Sequence, residues 1–227
     1  MANQTAKLDW SDGHVPISTQ FNDPYYSLDN GVDETRHVFL TGNDLPDRFG
    51  GRFDIGELGF GTGLNLLVTW AAWAEAGHPG TLHFTSFEAY PITLADMATA
   101  LTHFSELSSY VQTLLREWTP GAGPTQLTDG PLLHVIVGDA RQTVPAWHGK
   151  ADAWFLDGFS PAKNPELWEP GLLDAVGRHT NPGGTAATYS AAGHIRRALA
   201  DAGFDVTRAP GYGRKRHMTR AKVPHAE

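Results

Sequence analysis

The sequence predicts an α/β protein built on a doubly wound, mostly parallel sheet. Three observations support this prediction. From about residue 52 onward, apolar runs of six to eight residues alternate with stretches of helical periodicity, which is typical of strand–helix–strand units. The first run leads into a glycine-rich turn, as ligand-binding turns do in such sheets. The final apolar runs flank a Gly-Pro turn, which predicts an antiparallel hairpin at one edge.

The predicted strands are short apolar runs bounded by turn residues. Five of them are expected to form the parallel part of the sheet: residues 52–58, 81–88, 132–137, 151–157 and 185–190, the last preceded by Gly183 and Gly184. Residues 204–221 predict two further strands around a turn rich in Gly and Pro. The helices that connect successive parallel strands are expected to cover the sheet, and these crossovers are expected to be right-handed.

The helices are predicted from apolar spacing and from start signals. Apolar residues recur at helical spacing over 64–72 and over 195–202. Another helical stretch is expected from Pro91 onward. After the fourth strand, Asn164 is predicted to cap a helix that has Pro165 in its first turn.

Length and terminal composition predict how the chain is organised. A chain of 227 residues suits one medium-sized domain. Residues 1–50 do not follow the alternation and are predicted to be an N-terminal extension, with the α/β domain over 51–222 and a tail over 223–227. The start of the chain is polar, and no stretch approaches the roughly 18 apolar residues of a membrane helix. We therefore expect a cytoplasmic protein with no membrane association.

Composition also limits the chemistry. The chain has no Cys, which excludes disulfides, Cys-ligated metal sites, iron–sulfur clusters and cysteine nucleophiles. Its 11 His show no HExxH or comparable ligand spacing, so no bound metal is expected.

The net charge of −8 is unevenly distributed. Residues 196–222 carry eight basic and two acidic residues, a balance of +6 that leaves −14 for the rest of the chain. Arg214, Lys215 and Arg216 lie in the turn of this segment and are candidate contacts for a polyanion. A solvated Arg-rich hairpin explains the charge equally well.

The turn after the first strand carries the motif ELGFGTG. Gly59, Gly61 and Gly63 allow a tight turn and a close approach of backbone to ligand. A dinucleotide fingerprint would need its third glycine where Leu64 stands, which disfavours a pyrophosphate. Glu57, just before the motif, favours a cationic ligand, and S-adenosylmethionine carries both a sulfonium and an ammonium group. An ordinary strand–helix turn remains an equal alternative for the motif alone.

Acidic residues follow the next strands as well. Glu88 ends the second strand, where a carboxylate can accept hydrogen bonds from both ribose hydroxyls. Asp139 follows the third strand and is placed to accept from an adenine amino group. Each acid alone could be a helix cap, but three in order at successive strand ends favour a nucleoside site.

The segment WFLDGFSPAKNPELW, residues 154–168, adds a candidate reaction centre. Asp157 ends the fourth strand and can orient an amine and stabilise the positive charge that develops on its nitrogen. Phe159 is a candidate for stacking on a base, and Lys163 in the same loop is a candidate substrate contact. Phe159 could equally anchor the loop, and Trp154 and Trp168 are expected to be core residues.

Taken together, these motifs resemble the methyltransferase part of a bacterial tRNA-modifying family, the tRNA 5-(aminomethyl)uridine methyltransferases. The resemblance covers nearly the whole chain: PISTQFNDPYYSLDNGVDETRHVFLTGNDLPDRF (16–49), ELGFGTGLNLL (57–67), FEAYP (87–91), GDAR (138–141), DAWFLDGFSPAKNPELW (152–168) and GYGRKRHM (211–218). It implies a Rossmann-like class I methyltransferase fold. It also implies methyl transfer from S-adenosylmethionine to the aminomethyl nitrogen on C5 of the wobble uridine, often 2-thiolated, in the tRNA anticodon stem-loop.

The resemblance also implies roles for individual residues. By position, the cofactor loop is matched by Glu57, Gly59, Phe60, Gly61 and Gly63. Glu88 matches the acid that binds the ribose, and Asp139 and Ala140 match the adenine contacts. Asp157 matches the acid that lies near the methyl group and the acceptor. Tyr26 and Ser27 match the N-terminal segment that flanks the cofactor site.

The chain departs from the family pattern in two respects. Ala89 stands where the family commonly has a basic residue after the ribose-binding acid. The flavin-dependent oxidase usually fused to the family is also missing from the 227 residues, so a standalone form without FAD is expected. A separate modification enzyme would then supply the aminomethyluridine.

Three alternative functions fit parts of the sequence. A methyltransferase or aminopropyltransferase for a small amine would share the series of acids, but has no need of the basic segment. An NAD-dependent oxidoreductase is disfavoured by Leu64 at the fingerprint position. A non-catalytic tRNA-binding protein with a decayed cofactor site is disfavoured by the intact acids.

Overall fold

The structure is a computed structural model that describes residues 5–11, 13, 15–27 and 30–225. The final two residues of the predicted tail, 226 and 227, lie outside this range, as do residues 1–4, 12, 14, 28 and 29 of the predicted extension. The division into residues 1–50, 51–222 and 223–227 stays a prediction.

The N-terminal residues form a small antiparallel sheet of three strands. These are β1 (Leu8–Ser11), β2 (Val15–Ser18) and β3 (Asp23–Pro24), paired in that order. A short helix, α1 (Gly31–Thr35), continues into a π-helical turn (Arg36–Leu40) and a 3-10 turn (Thr41–Asn43). Their apolar side chains, including Val32, Val38 and Phe39, are buried in the same core as one face of the main sheet.

The main sheet has eight strands among the described residues. They are β4 (Arg52–Leu58), β5 (Thr81–Glu88), β6 (Thr125–Gln126), β7 (Leu132–Val137), β8 (Ala151–Leu156), β9 (Thr180–Thr188), β10 (Asp205–Pro210) and β11 (His217–Lys222). Their spatial order is β10-β11-β9-β8-β4-β5-β7-β6. The five central strands β9, β8, β4, β5 and β7 are parallel. The two edges are antiparallel, since β10–β11 forms a hairpin against β9 and β6 pairs with β7.

Helices cover both faces of this sheet. They are α2 (Leu64–Glu75), α3 (Leu94–Leu101), α4 (Ser108–Glu117), α5 (Ala140–Thr143), α6 (Pro170–Arg178) and α7 (Gly193–Asp201). One core cluster joins the sheet to α2, α3 and α4, and a second joins it to α5, α6 and α7. Successive residues of β8 serve the two clusters, because Trp154 faces one and Phe155 the other, and both are fully buried. The predicted doubly wound α/β fold with a C-terminal hairpin is confirmed.

Two predicted boundaries are wrong for local reasons. The fifth strand begins at Thr180 rather than after the glycine pair, and Gly183, with φ +75°, lies where its pairing with β8 shifts register. Asn164 makes no side-chain cap bond, and only a 3-10 turn (Pro165–Trp168) follows it. The helix proper starts at Pro170, because a proline forces the preceding Glu169 into an extended conformation. The N-terminal sheet, α4 and β6 were not anticipated by the apolar pattern.

Candidate active site

A cavity of about 830 Å³ opens at the carboxyl ends of the five parallel strands. The residues that follow these strands form its floor, as expected for a doubly wound sheet. Residues 20–27 of the N-terminal sheet and residues 212–215 of the β10–β11 turn form its walls. Of the predicted site residues, the cavity is lined by Tyr26, Ser27, Gly59, Phe60, Gly61, Glu88, Asp139, Ala140, Asp157, Phe159, Arg214 and Lys215.

The glycine loop is held in a conformation that other residues rarely adopt. Gly59 and Gly61 have φ values of +89° and +53°. A Cβ atom on Gly59 would lie 2.5 Å from the backbone oxygen of Asp157, so the loop passes directly against the end of β8. Gly63 also has a positive φ and starts α2, but it does not line the cavity.

Glu88 connects this loop to the end of β5. One carboxylate oxygen accepts from the backbone N–H of Gly61 (2.9 Å) and the other from that of Tyr90 (2.8 Å). Burial raises the pKa of Glu88, and these backbone donors oppose the rise. The Glu88 carboxylate is therefore held from both sides at the cavity wall.

Asp139 caps α5 after β7. Its side chain accepts from the backbone N–H of Arg141 (2.9 Å), and the Arg141 guanidinium lies 2.7 Å from its other oxygen. The hydrogen bonds from Arg141 lower the pKa of Asp139, so the group is an anion at neutral pH. Ala140, the next residue, is buried at the cavity wall. Arg141 also lines the cavity and was not predicted.

Asp157 is held by a buried chain of hydrogen bonds. The amide nitrogen of Asn65 donates to Asp157 Oδ2 (2.7 Å) and to Glu57 Oε1 (3.0 Å). Thr35 donates to the amide oxygen of Asn65 (2.8 Å), and Ser86 donates to Glu57 (2.6 Å). Glu57 is therefore behind the cavity wall rather than on it, in contact with Asn65 and Ser86.

Burial changes the protonation of both acids in this chain. It raises the pKa of Asp157 to about 7, against the lowering effect of the Asn65 hydrogen bond. It also raises the pKa of Glu57 well above its ordinary value. A carboxylate with a pKa near neutrality can accept a proton from an ammonium group at physiological pH.

Aromatic side chains from the N-terminal sheet meet the Asp157 loop at the cavity. The ring of Phe159 stacks on Phe21 at 4.9 Å between centroids and meets Tyr25 edge-on at 5.0 Å. Tyr26 donates its hydroxyl to the Ala100 carbonyl (2.9 Å), and burial raises its pKa to about 12. Phe159 thus both anchors the loop on the N-terminal segment and lines the cavity.

The predicted basic contacts lie in three different settings. Lys163 does not line the cavity, since its ammonium pairs with Asp23 at 2.8 Å and ties the loop to the N-terminal sheet. Arg214 is exposed at the cavity wall, and Arg216 is exposed outside it. Lys215 reaches into the cavity, where its ammonium lies 2.7 Å from Glu34 and 4.0 Å from the centroid of the Tyr189 ring.

Several cavity residues were missed by the sequence analysis, among them Asn65, Glu34 and Tyr189. Asn65 gave a detectable signal, because it is a polar residue in the first turn of an otherwise apolar helix. Glu34 gave none, since nothing local in the sequence directs the N-terminal helix to the cavity. Tyr189 was missed because the predicted fifth strand extended to residue 190, whereas β9 ends at Thr188.

Two kinds of feature are absent from the described part of the chain. It contains no cluster of three or more His, Cys, Asp or Glu suited to holding a metal ion. None of its helices has the length and apolarity needed to cross a membrane.

The fold and the cavity together are those of doubly wound α/β proteins, a class that binds its ligands at the carboxyl ends of the parallel strands. A model of an S-adenosyl-L-methionine-dependent methyltransferase family matches residues 105–224, more than half of the chain. The chain belongs to this family and is an S-adenosylmethionine-dependent methyltransferase.

Individual relatives agree with this assignment. The chain is 43% identical over 232 residues to the tRNA 5-methylaminomethyl-2-thiouridine biosynthesis bifunctional protein MnmC of Stutzerimonas stutzeri, covering 98% of this chain and 35% of that protein. It is 45% identical over 229 residues to the protein of the same name from Aeromonas hydrophila, covering 94% and 34%. The chain thus spans about a third of the length of the curated relatives it matches.

A solved structure matches the whole chain. The crystal structure of MnmC2 from Aquifex aeolicus superposes with a TM-score of 0.75 at 26% identity, covering 100% of this chain and 74% of that one. The similarity therefore includes the N-terminal sheet as well as the α/β part.

The residues of the cavity fit S-adenosylmethionine. Gly59 and Gly61 leave a cradle that side chains would fill, since a Cβ on Gly61 would lie 3.0 Å from the Tyr25 ring. Glu88 and Asp157 line the same cavity, so one carboxyl group can accept hydrogen bonds from ribose hydroxyls and the other, when ionised, can face a cationic group.

Proposed function

We propose that this protein transfers a methyl group from S-adenosylmethionine to the aminomethyl nitrogen on C5 of the wobble uridine in tRNA. The observation that carries the proposal is the position of Asp157. This carboxylate, with a pKa of about 7, lines the cavity between the glycine loop and the basic turn at residues 212–215. The names of the relatives, which describe biosynthesis of 5-methylaminomethyl-2-thiouridine in tRNA, support this choice of acceptor.

In this proposal the strand-end residues hold the donor. Glu88 binds the ribose hydroxyls, and Asp139 and Ala140 lie along the adenine. Gly59, Phe60 and Gly61 cradle the amino acid part, and Gly63 supports the loop from behind. Tyr26 and Ser27 close the N-terminal side. When bound, S-adenosylmethionine supplies a methyl group that leaves its sulfur without the bonding electrons.

Asp157 prepares the acceptor for transfer. An aminomethyl group is protonated at neutral pH, and only the neutral amine has a lone pair for the new bond to carbon. Asp157 accepts that proton, and Asn65 holds the carboxylate in place while it does so. After transfer the product nitrogen is again cationic, and Asp157 stabilises that charge once it has released the accepted proton to solvent.

The cavity mouth is suited to a nucleotide within RNA. Phe159, Phe21 and Tyr25 offer aromatic surface for a base that leaves its stack. Arg214 and Arg216 are exposed next to the mouth and are proposed to contact phosphates. A preceding reaction must create the amine on uridine, and we propose that a separate enzyme supplies it.

The test compares acceptors under identical conditions with labelled S-adenosylmethionine. We expect an anticodon stem-loop with 5-aminomethyluridine at the wobble position to be methylated with the highest kcat/KM. The same stem-loop with plain uridine should accept no label. Faster labelling of spermidine or another small amine than of the stem-loop would instead establish a small-amine methyltransferase.

A further inference from the structure

The ammonium group of Lys215 has two partners of different chemistry at the cavity. Its Nζ atom lies 2.7 Å from a carboxylate oxygen of Glu34, which comes from α1. The same atom lies 4.0 Å from the centroid of the Tyr189 ring, which follows β9. All three residues line the cavity.

The two partners are more rigidly placed than the lysine. The Glu34 side chain is only 15% exposed, whereas that of Lys215 is 45% exposed. The Tyr189 hydroxyl donates to the backbone oxygen of Gly158 over 2.6 Å, which fixes the ring beside the residue that follows Asp157. The charge of Glu34 raises the pKa of Asp157 and the charge of Lys215 lowers it, so both groups lie close enough to Asp157 to affect its ionisation.

A carboxylate combined with an aromatic face is a combination that binds alkylammonium groups. The carboxylate accepts charge-assisted hydrogen bonds, and the negative face of the ring attracts the cation. The lysine side chain ends in –CH₂–NH₃⁺, which is also the group that a 5-aminomethyluridine carries on its base. The Lys215 ammonium, which lies between Glu34 and Tyr189, is therefore the same kind of group as the acceptor amine.

We propose that Glu34 and Tyr189 form an ammonium-binding subsite for the acceptor amine, and that Lys215 occupies this subsite until the acceptor displaces it. The identity of the acceptor rests on the proposed function, but the subsite itself does not. Displacement turns the lysine ammonium toward the cavity mouth, next to Arg214, where an incoming nucleic acid offers phosphates.

A purely structural role for the pair predicts a different outcome. If the Glu34–Lys215 ion pair only ties α1 to the β10–β11 turn, then removing either charge has the same effect. Under the proposal the two changes act in opposite directions on small acceptors, because Glu34 binds the acceptor and Lys215 competes with it.

The first experiment measures steady-state methylation of free 5-aminomethyluridine nucleoside. We expect Glu34→Gln to raise its KM about tenfold, the effect of weakening one charge-assisted hydrogen bond. We expect Lys215→Met, which keeps the side-chain length, to lower that KM severalfold. Asp33→Asn on the same helix and Lys222→Met on β11 are the matched controls and should leave KM unchanged. Equal increases of KM in Glu34→Gln and Lys215→Met overturn the proposal.

The second experiment needs no methyl transfer. In protein with ¹⁵N-labelled lysine, the ammonium resonance of Lys215 is identified by its loss in Lys215→Met. Titration with ethylammonium should shift this resonance to saturation, leave that of Lys222 unchanged, and have no effect in Glu34→Gln. An unchanged Lys215 resonance overturns the proposal. A saturable shift in a protein that cannot methylate aminomethyluridine supports the subsite and refutes the proposed function instead.

Discussion

Single residues determine the chemistry at the end of β8. Asp157 is buried by its surroundings, and the hydrogen bond described for its carboxylate comes from Asn65 at 2.7 Å. Burial favours the neutral acid and the hydrogen bond favours the anion, and the balance leaves the pKa near 7. This is the range in which one carboxyl can both take up and release a proton during turnover.

We expect Asp157→Ala to abolish methyl transfer while much of the affinity for S-adenosylmethionine persists. Glu88 and Asp139 are bound by other residues and keep their positions in this variant. Single-turnover methylation and calorimetric titration with S-adenosylmethionine measure the two properties separately. Near-normal turnover would refute the role assigned to Asp157.

We expect activity to rise with pH through a midpoint of about 7, because Asp157 must be ionised to accept the proton. In Asn65→Ala the midpoint should move to higher pH, since the lost hydrogen bond had lowered the Asp157 pKa. The kcat/KM profile with a fixed, saturating donor concentration measures this shift. A lower rate with an unmoved midpoint would mean that Asn65 acts only on binding.

At the scale of elements, the site depends on how closely the β4–α2 loop approaches β8. Gly59 passes against the backbone of Asp157 and donates its own N–H to the Phe87 carbonyl at the end of β5 (2.9 Å). One glycine therefore sets the spacing between the glycine loop, β5 and the end of β8.

We expect Gly59→Ala to reduce affinity for S-adenosylmethionine at least tenfold and to lower stability, because the new Cβ collides with backbone 2.5 Å away. Gly77→Ala is the matched control. Its φ of +84° is nearly the same as the +89° of Gly59, but open space surrounds it, so only the backbone strain of about 1–2 kcal/mol applies. Thermal unfolding and donor titration of both variants separate strain from collision. Equal losses in the two would remove the special role of Gly59.

The elements predicted from sequence are those that local patterns encode. Four parallel strands were predicted to within a residue because their buried apolar residues fall in short segments bounded by turn residues, nearly continuously in β8 and at alternate positions in much of β5 and β7. The strands β1 and β3 were missed because they are short and only partly buried, so they carry no such run. The strand-end acids were predictable from topology, since parallel strands bring their carboxyl ends together. The contacts of Glu57 and Lys215 could not be predicted from the sequence, because they depend on packing between segments that are distant along the chain.

At the scale of the whole molecule, the basic residues are concentrated near the C-terminal end of an acidic chain. The segment 196–222 carries +6 within a chain of net charge −8. Not all of this charge is available to a ligand, since Lys215 pairs with Glu34 and Arg220 with Asp44. Within the described residues, Arg214 and Arg216 form no ion pair, so they are the stronger candidates for phosphate contacts.

We expect Arg214→Ala and Arg216→Ala each to weaken tRNA binding and to reduce the slope of log affinity against log salt by about one. Arg52→Ala is the control, because Arg52 begins β4 at the opposite end of the strands from the cavity. Fluorescence anisotropy at several salt concentrations measures the slopes. Slopes unchanged in both variants would place the tRNA contact on another surface.

We propose that the methyl group is transferred to the aminomethyl nitrogen of the wobble uridine. The most direct measurement uses labelled S-adenosylmethionine, the full chain and complete tRNA carrying 5-aminomethyluridine, followed by nuclease mapping and nucleoside mass spectrometry. We predict one added methyl per tRNA, on the aminomethyl nitrogen at the wobble position. Label at another nucleoside, or no label on tRNA that the protein binds, would contradict the account.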